Sequence, residues 1–254
     1  KRNLRHFMPL RDPNSRLGQF FGELFGVVTM TPAQVQRVER RVDEVLDELT
    51  NPTLIGANSK RFVSGTHRYD TQFTYAFVVP EDQEQKIYLL DRFFDPDMDV
   101  YQNRLKTPFD ISAHARATVL IHEISHLKSL TEDLAYLDSM RPFPDLINVK
   151  ASGAWQMKTE LDDLRQTALS ISTPASILFK VWDEVSEEWE DFGSYNGTKM
   201  LKDKVLGATG ARSLTQARDI FMSDADKRID TILANADSVT CIISDIGRSL
   251  ETGA

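Results

Sequence analysis

Cysteine is nearly absent: Cys241 stands alone in 254 residues. No internal disulfide can form, and a cysteine-based zinc ribbon is excluded. A domain built for long life outside a cell would more often carry bridges. No segment approaches the roughly 20 apolar residues needed to cross a bilayer, so no membrane span is expected. Basic residues are in deficit, with 30 Lys and Arg against 38 Asp and Glu, for a net charge of -8. That balance argues against a nucleic-acid partner, whose phosphates want a basic face. The opening stretch, KRNLRHFMPLRDPNSR, has neither an initiator Met nor the apolar core of a signal peptide. It reads as a piece of a longer protein, with residues 1–18 as a basic arm or linker.

What remains is an ordinary globular composition, 41% hydrophobic and 27% charged, in a chain long enough to bury a sizeable core. There is no internal repeat or low-complexity tract, and no shift of charge or composition marks a domain boundary. TPAQVQRVERRVDEVLDELT predicts a helix. Thr31 caps it, Pro32 takes the first helical position and Gln34 completes a capping box. Val35, Val38, Val42, Leu46 and Leu49 recur at helical spacing. In QFTYAFVVP, Phe73, Tyr75, Phe77 and Val79 alternate, as a strand closed by Pro80. EDQEQ is a turn and KIYLLDRFF a second strand, so the two pair as a hairpin. Asp110 or Ser112 starts a long helix that runs to about Ser129. Further helices are expected over 156–170, 175–192 and 214–246, broken by Pro142, Pro144, Pro174 and the glycine-bearing turns. The fold class is α+β.

Histidine is scarce too, with five in all, yet two stand four residues apart in ATVLIHEISHLKSLTEDLAYLD, residues 117–138. On a helix His122 and His126 share a face, so both imidazoles can reach one ion. Glu123, about 100° round the helix, can reach a water on that ion. Zinc with an open position for water needs this geometry plus a third protein ligand. The apolar run before the histidines buries them, and a buried His-Glu-His group without a partner would be costly. An HExxHxxGxxH site is excluded, because Ser129 and Glu132 occupy the glycine and histidine positions. Three candidates remain. Glu160, in KTELDDL, would make a thermolysin-like site; Asp133 and the more distant Asp138 could fold back past the helix end.

HEISHLKSLTEDLAYL resembles the aspzincin signature, HExxH followed by GTxDxxYG, of the deuterolysin and peptidyl-Lys metalloendopeptidase group. Thr131, Asp133 and Tyr136 match T-x-D-x-x-Y, while Leu130 and Leu137 stand where that signature has glycines. YAFVVPEDQEQKIYLLDRFF is similar to the family's strand, turn and strand, with Leu90-Asp91 where a cysteine often sits. ILANADSV resembles a family NADSY segment, with Val239 in place of the tyrosine. Similar domains occur within long bacterial toxins and effectors. The resemblance implies a zincin-like α+β fold with a small sheet, an HExxH active-site helix and a helical C-terminal half. Residues 19–254 would form the peptidase domain, with 145–210 as a helical insertion that has no counterpart in the family. It further implies that Asp133 is the third zinc ligand, Glu123 the general base and Tyr136 a phenolic donor to the oxyanion. The partner would be a protein or peptide substrate, met after secretion or delivery into a target cell.

The remaining features have plainer readings. His114 lies two turns before His122, about 12 Å along the axis, and suits a core or capping role better than ligation. His67 falls in a loop. Asn235 and Asp237 could orient a ligating imidazole through its other nitrogen, or serve as caps or core polar groups. VWDEVSEEWEDF places Trp182, Val185, Trp189 and Phe192 on one helical face, as an amphipathic core helix; its acids could instead attract a basic substrate. The competing functional class is a non-catalytic module that keeps zinc for structure alone.

Overall fold

The computed structural model describes residues 13–66 and 74–252. In chain order the elements are α1 (Arg16–Phe25), α2 (Pro32–Leu49), α3 (Pro52–Ile55), β1 (Phe62–Ser64), β2 (Ala76–Val78) and β3 (Ile87–Leu89). Next come α4 (Asp91–Phe94), α5 (Asp99–Gln102), α6 (Ile111–Ser129), a 3-10 turn at Pro144–Leu146 and α7 (Ala154–Thr167). The chain finishes with β4 (Lys180–Asp183), β5 (Glu188–Asp191), α8 (Lys199–Thr209), α9 (Leu214–Ser223), α10 (Ala225–Ile232) and α11 (Ala236–Thr252). Mixed helix and sheet in this proportion is an α+β protein. Two compact units divide it: one from 13–42, Thr131–Tyr136 and 165–252, the other from 43–66, 74–130 and Leu137–Leu164.

The start of α2 forms as its residues dictate. Gln34 Oε1 accepts from the Thr31 N–H at 2.9 Å, and Thr31 Oγ1 accepts from the Gln34 N–H at 3.3 Å. This reciprocal box satisfies two amides that have no intrahelical partner. Val35, Val38, Val42 and Val45 are buried along its face.

In the second unit β3 is central, with β2 antiparallel on one side and β1 parallel on the other. The expected hairpin is therefore present, though each strand is only three residues long. Phe77 and Tyr88 face each other across it with rings stacked 4.8 Å apart. Ile87 and Leu89 turn to the opposite face and are buried. The second strand ends early. Leu90 donates its N–H to Tyr75, and Asp91 then opens the short helix α4 where LLDRFF had read as strand. Phe73 lies outside the described residues. Strand β1 had no sequence signal, because FVS is three residues long and its partner is parallel and distant in the chain.

In the first unit the expected arm ends sooner than residue 18. Ser15 Oγ caps α1, accepting from the Gly18 N–H at 2.9 Å. Gly26 ends that helix at φ +62°, where a Cβ would meet Ile171 at 2.9 Å, so only glycine fits. Arg228, 3% exposed, donates to the carbonyls of Phe25, Gly26, Phe221 and Met222. One guanidinium thus satisfies the C-terminal ends of both α1 and α9. The single long helix expected over 214–246 is three, and Asp224 both ends α9 and caps α10 through Asp226 and Lys227 N–H.

The helix expected over 175–192 is instead the hairpin β4–β5. Spacings of three and four among Trp182, Val185, Trp189 and Phe192 imitate a helix, but Asp183 makes a turn. Its carboxylate accepts from the Val185 N–H and the Ser186 hydroxyl, and Glu187 takes a left-handed φ of 55°. Trp182 and Trp189 pair across the strands edge to face at 5.6 Å and stay 44% and 41% exposed, so neither is a core residue. Segment 145–210 is therefore helical only in part.

Candidate metal centre

The site begins with α6. Asp110 Oδ1 caps it through the Ala113 N–H at 2.8 Å, and Ile111, Ala115, Thr118, Val119 and Ile124 are buried along its length. Its far end is anchored to α2. Lys128 pairs with Glu48 at 3.2 Å and donates to Gln85 Oε1 at 2.7 Å, while the Ser129 hydroxyl donates to Glu44 at 2.9 Å. Glu48 also pairs with Arg61. Burial pushes the Glu48 carboxyl up, but hydrogen bonds from Arg61, Asn51 and Lys128 outweigh it and hold it below the ordinary glutamate range. These anchors were not foreseen. Their only sequence signal is that the acid Glu48 lies on the apolar stripe of α2.

One turn apart, His122 and His126 bring their Nε2 atoms to 3.1 Å. Two nitrogens each 2.0–2.1 Å from a tetrahedral ion would be roughly 3.3 Å apart, so the spacing suits a shared ion. Asp133 completes the group: one ligand atom from each of the three residues lies within 4.8 Å of the others, and each side chain is half-buried. Two imidazoles and a carboxylate can hold a metal ion. The donor types suit zinc and equally suit ferrous iron. Glu123, 6% exposed, follows His122 directly on α6.

Between His126 and Asp133 the chain turns at Leu130, whose φ of 51° and ψ of 40° are left-handed. The residue standing at the signature's first glycine thus adopts a glycine-like backbone. At the second such position it is Asp138, not Leu137, that has positive φ, while Leu137 is buried. Tyr136 is 65% exposed, and its hydroxyl donates to Asp133 Oδ2 at 3.1 Å.

Residues 131–136 are zipped onto the turn between α10 and α11. The Glu132 N–H donates to Ala234 O at 2.9 Å, and the Ala236 N–H donates to Glu132 O at 3.1 Å. Asn235, fully buried, inserts its amide between them. Its Oδ1 accepts from the N–H groups of Leu134 and Ala135, both at 3.0 Å. Its Nδ2 donates to Ala135 O at 2.9 Å and to Ser238 Oγ at 3.0 Å. With two bonds accepted and two donated, the amide spends three on the loop backbone and one on Ser238, and none on an imidazole. Asp237 is buried in the first turn of α11.

The other candidates stand apart. Glu160 is exposed and accepts from Gln156 at 2.9 Å. Asp138 pairs with Arg141 at 3.0 Å. Neither belongs to the group of possible ligands found among the described residues. His114, half-buried, packs between Phe109 and Phe143, with centroids 5.3 and 5.2 Å away. His67 lies outside the described residues. No helix among the described residues is long and apolar enough to cross a membrane. In comparisons with known proteins, no family model, no curated protein and no solved structure matches the chain.

Proposed function

We propose that this chain is a zinc metalloendopeptidase of the aspzincin type, with a zincin-like fold, acting as the protease domain of a larger toxin or effector. The observation that carries the reading is the convergence of His122, His126 and Asp133 within 4.8 Å, beside a buried carboxylate that has no place in a purely structural site. The donor set alone admits an iron enzyme. Glu123 favours hydrolysis, because a base next to the ligands serves proton transfer from water.

His122, His126 and Asp133 would hold the ion, which when bound supplies a Lewis acid and lowers the pKa of its water. Glu123 takes the proton as attack on the peptide carbonyl begins and returns it to the leaving amine. Tyr136, exposed and donating its hydroxyl to Asp133, would turn that hydroxyl to the developing oxyanion, a contact worth about 3 kcal/mol. Strand β2 packs on α6 and lies at an edge of its sheet, where an extended substrate backbone can pair.

The test is Glu123→Gln, with metal content measured alongside cleavage of mixed denatured proteins. The wild type should bind one zinc and cut, and the variant should bind one zinc and not cut. A fully active variant removes the mechanism. A wild type that binds zinc without cutting makes the chain a zinc-stabilised module, and stoichiometric iron removes the zinc assignment.

A further inference from the structure

We infer that Asn235 is a positioning residue for the third ligand: its side-chain amide sets the backbone at Leu134 and Ala135 and thereby aims the Asp133 carboxylate. The inference rests on the metal reading and adds a residue that lies 102 positions from Asp133 in the sequence.

Asp133 sits in a loop with no regular structure of its own, between the end of α6 and the tyrosine. Left to itself such a loop would sample many directions for the carboxylate, and ordering it would cost about 1–2 kcal/mol per residue. Asn235 removes that freedom in a specific way. The two N–H groups that follow Asp133 point at one acceptor atom, as the amides of a helix start point at a capping oxygen. The same side chain returns a bond to Ala135 O, so the peptide after Ala135 is fixed too. Accepting two bonds while donating two, one to Ala135 O and one to Ser238 Oγ, takes an amide: a carboxylate offers no donor, a hydroxyl offers one, and an ammonium accepts nothing. The orientation is also determined, since the flipped amide would set NH₂ against two N–H donors. Buried and with all four bonds made, the group is rigid.

The two histidines come from a regular helix, whose own backbone sets their spacing. The loop is the part of the site that needs an external frame. The C-terminal turn supplies it through Asn235 and the backbone bridge of Glu132 with Ala234 and Ala236.

The experiment compares Asn235→Ala, Ser238→Ala and Asp133→Ala with the wild type. The readouts are Zn²⁺ affinity against a chromophoric chelator, the visible spectrum of the Co²⁺-substituted protein, and the unfolding temperature. Removing Asn235 should weaken Zn²⁺ binding 10–100-fold, the range for groups that orient ligands, and should shift the Co²⁺ bands. Ser238→Ala keeps every bond to the loop and removes only the one between the two side chains. It should lower the unfolding temperature while leaving affinity within about threefold of the wild type. A folded Asn235→Ala protein with wild-type affinity and spectrum overturns the inference while leaving the metal site intact. An Asp133→Ala protein with wild-type affinity overturns the ligand assignment, and the inference falls with it. If Asn235→Ala does not fold, hydrogen exchange in the metal-free wild type decides. The Leu134 and Ala135 amides should exchange as slowly as the core of α11, and exchange at the rate of an open loop overturns the inference.

Discussion

Leu130 offers a sharp test of how the loop of the candidate metal site is built. It ends α6 in the left-handed region, at φ 51° and ψ 40°, with 67% of its surface exposed. An L-residue there is strained by about 1–2 kcal/mol because its Cβ crowds the carbonyl oxygen. Leu130→Gly relieves that strain. Against it stand about 1 kcal/mol for glycine's greater freedom in the unfolded chain and about 0.7 kcal/mol for the buried third of a leucine side chain. The terms nearly cancel, so the variant should unfold within about 1 kcal/mol of the wild type. Were Leu130 in an ordinary right-handed conformation, the relief would vanish and the loss would be about 2 kcal/mol, or roughly 4–8 °C for a chain of this size. Leu130→Val should move the other way, losing about 1–2 kcal/mol, because a β-branched residue suits positive φ worst. Thermal and urea unfolding by circular dichroism, in the presence of chelator, measures all three proteins. A Leu130→Gly protein destabilised by 2 kcal/mol or more, or a Leu130→Val protein as stable as the wild type, would refute the reasoning. Zinc affinity of the glycine variant should stay within a few-fold, since neither Asp133 nor the Asn235 bonds are touched.

Other consequences follow from the packing. Arg228→Met strips the donors from four carbonyls at the ends of α1 and α9 and should cost about 3–5 kcal/mol, read from urea denaturation; a loss under 1 kcal/mol would mean water replaces the guanidinium. Glu48 has a lowered pKa in the folded protein, so its contribution is complete above the unfolded glutamate value and is lost as pH falls through the folded one. Stability should therefore drop on acidification below about pH 5, and Glu48→Gln should show a shallower drop from a lower starting point; parallel pH profiles would contradict this. Trp182 and Trp189 form a half-exposed cross-strand pair, so a double-mutant cycle with alanine should give a coupling near 1 kcal/mol. No coupling would argue that the strands are held by their backbone alone.

The three residues that could hold a metal ion were legible in the sequence because they are close in it. His122 and His126 share a helix face by periodicity alone, and Asp133 comes seven residues later, past a helix end. The start of α2 was legible for the same reason, since a capping box closes over four residues. The residues that frame the site were not. Asn235 reads as a cap or an imidazole partner until the fold brings it, 101 residues from Leu134, against the loop. Glu48 reads as one more acid on a charged helix until Lys128 and Arg61 surround it.

Elements that depend on a partner misled the sequence reading. β1 is a strand only because β3 lies beside it, and FVS carries no pattern of its own. The 180–191 segment has helical spacing of its aromatics, yet an aspartate turn and the meeting of Trp182 with Trp189 make it a hairpin. Local chemistry, acting over a turn or a cap, determined the α+β class, the long helices and the three candidate ligands. Only the tertiary structure decided which backbone holds Asp133 in place, because that depends on buried hydrogen bonds between segments far apart in the chain, and a buried amide must find its partners wherever the fold puts them.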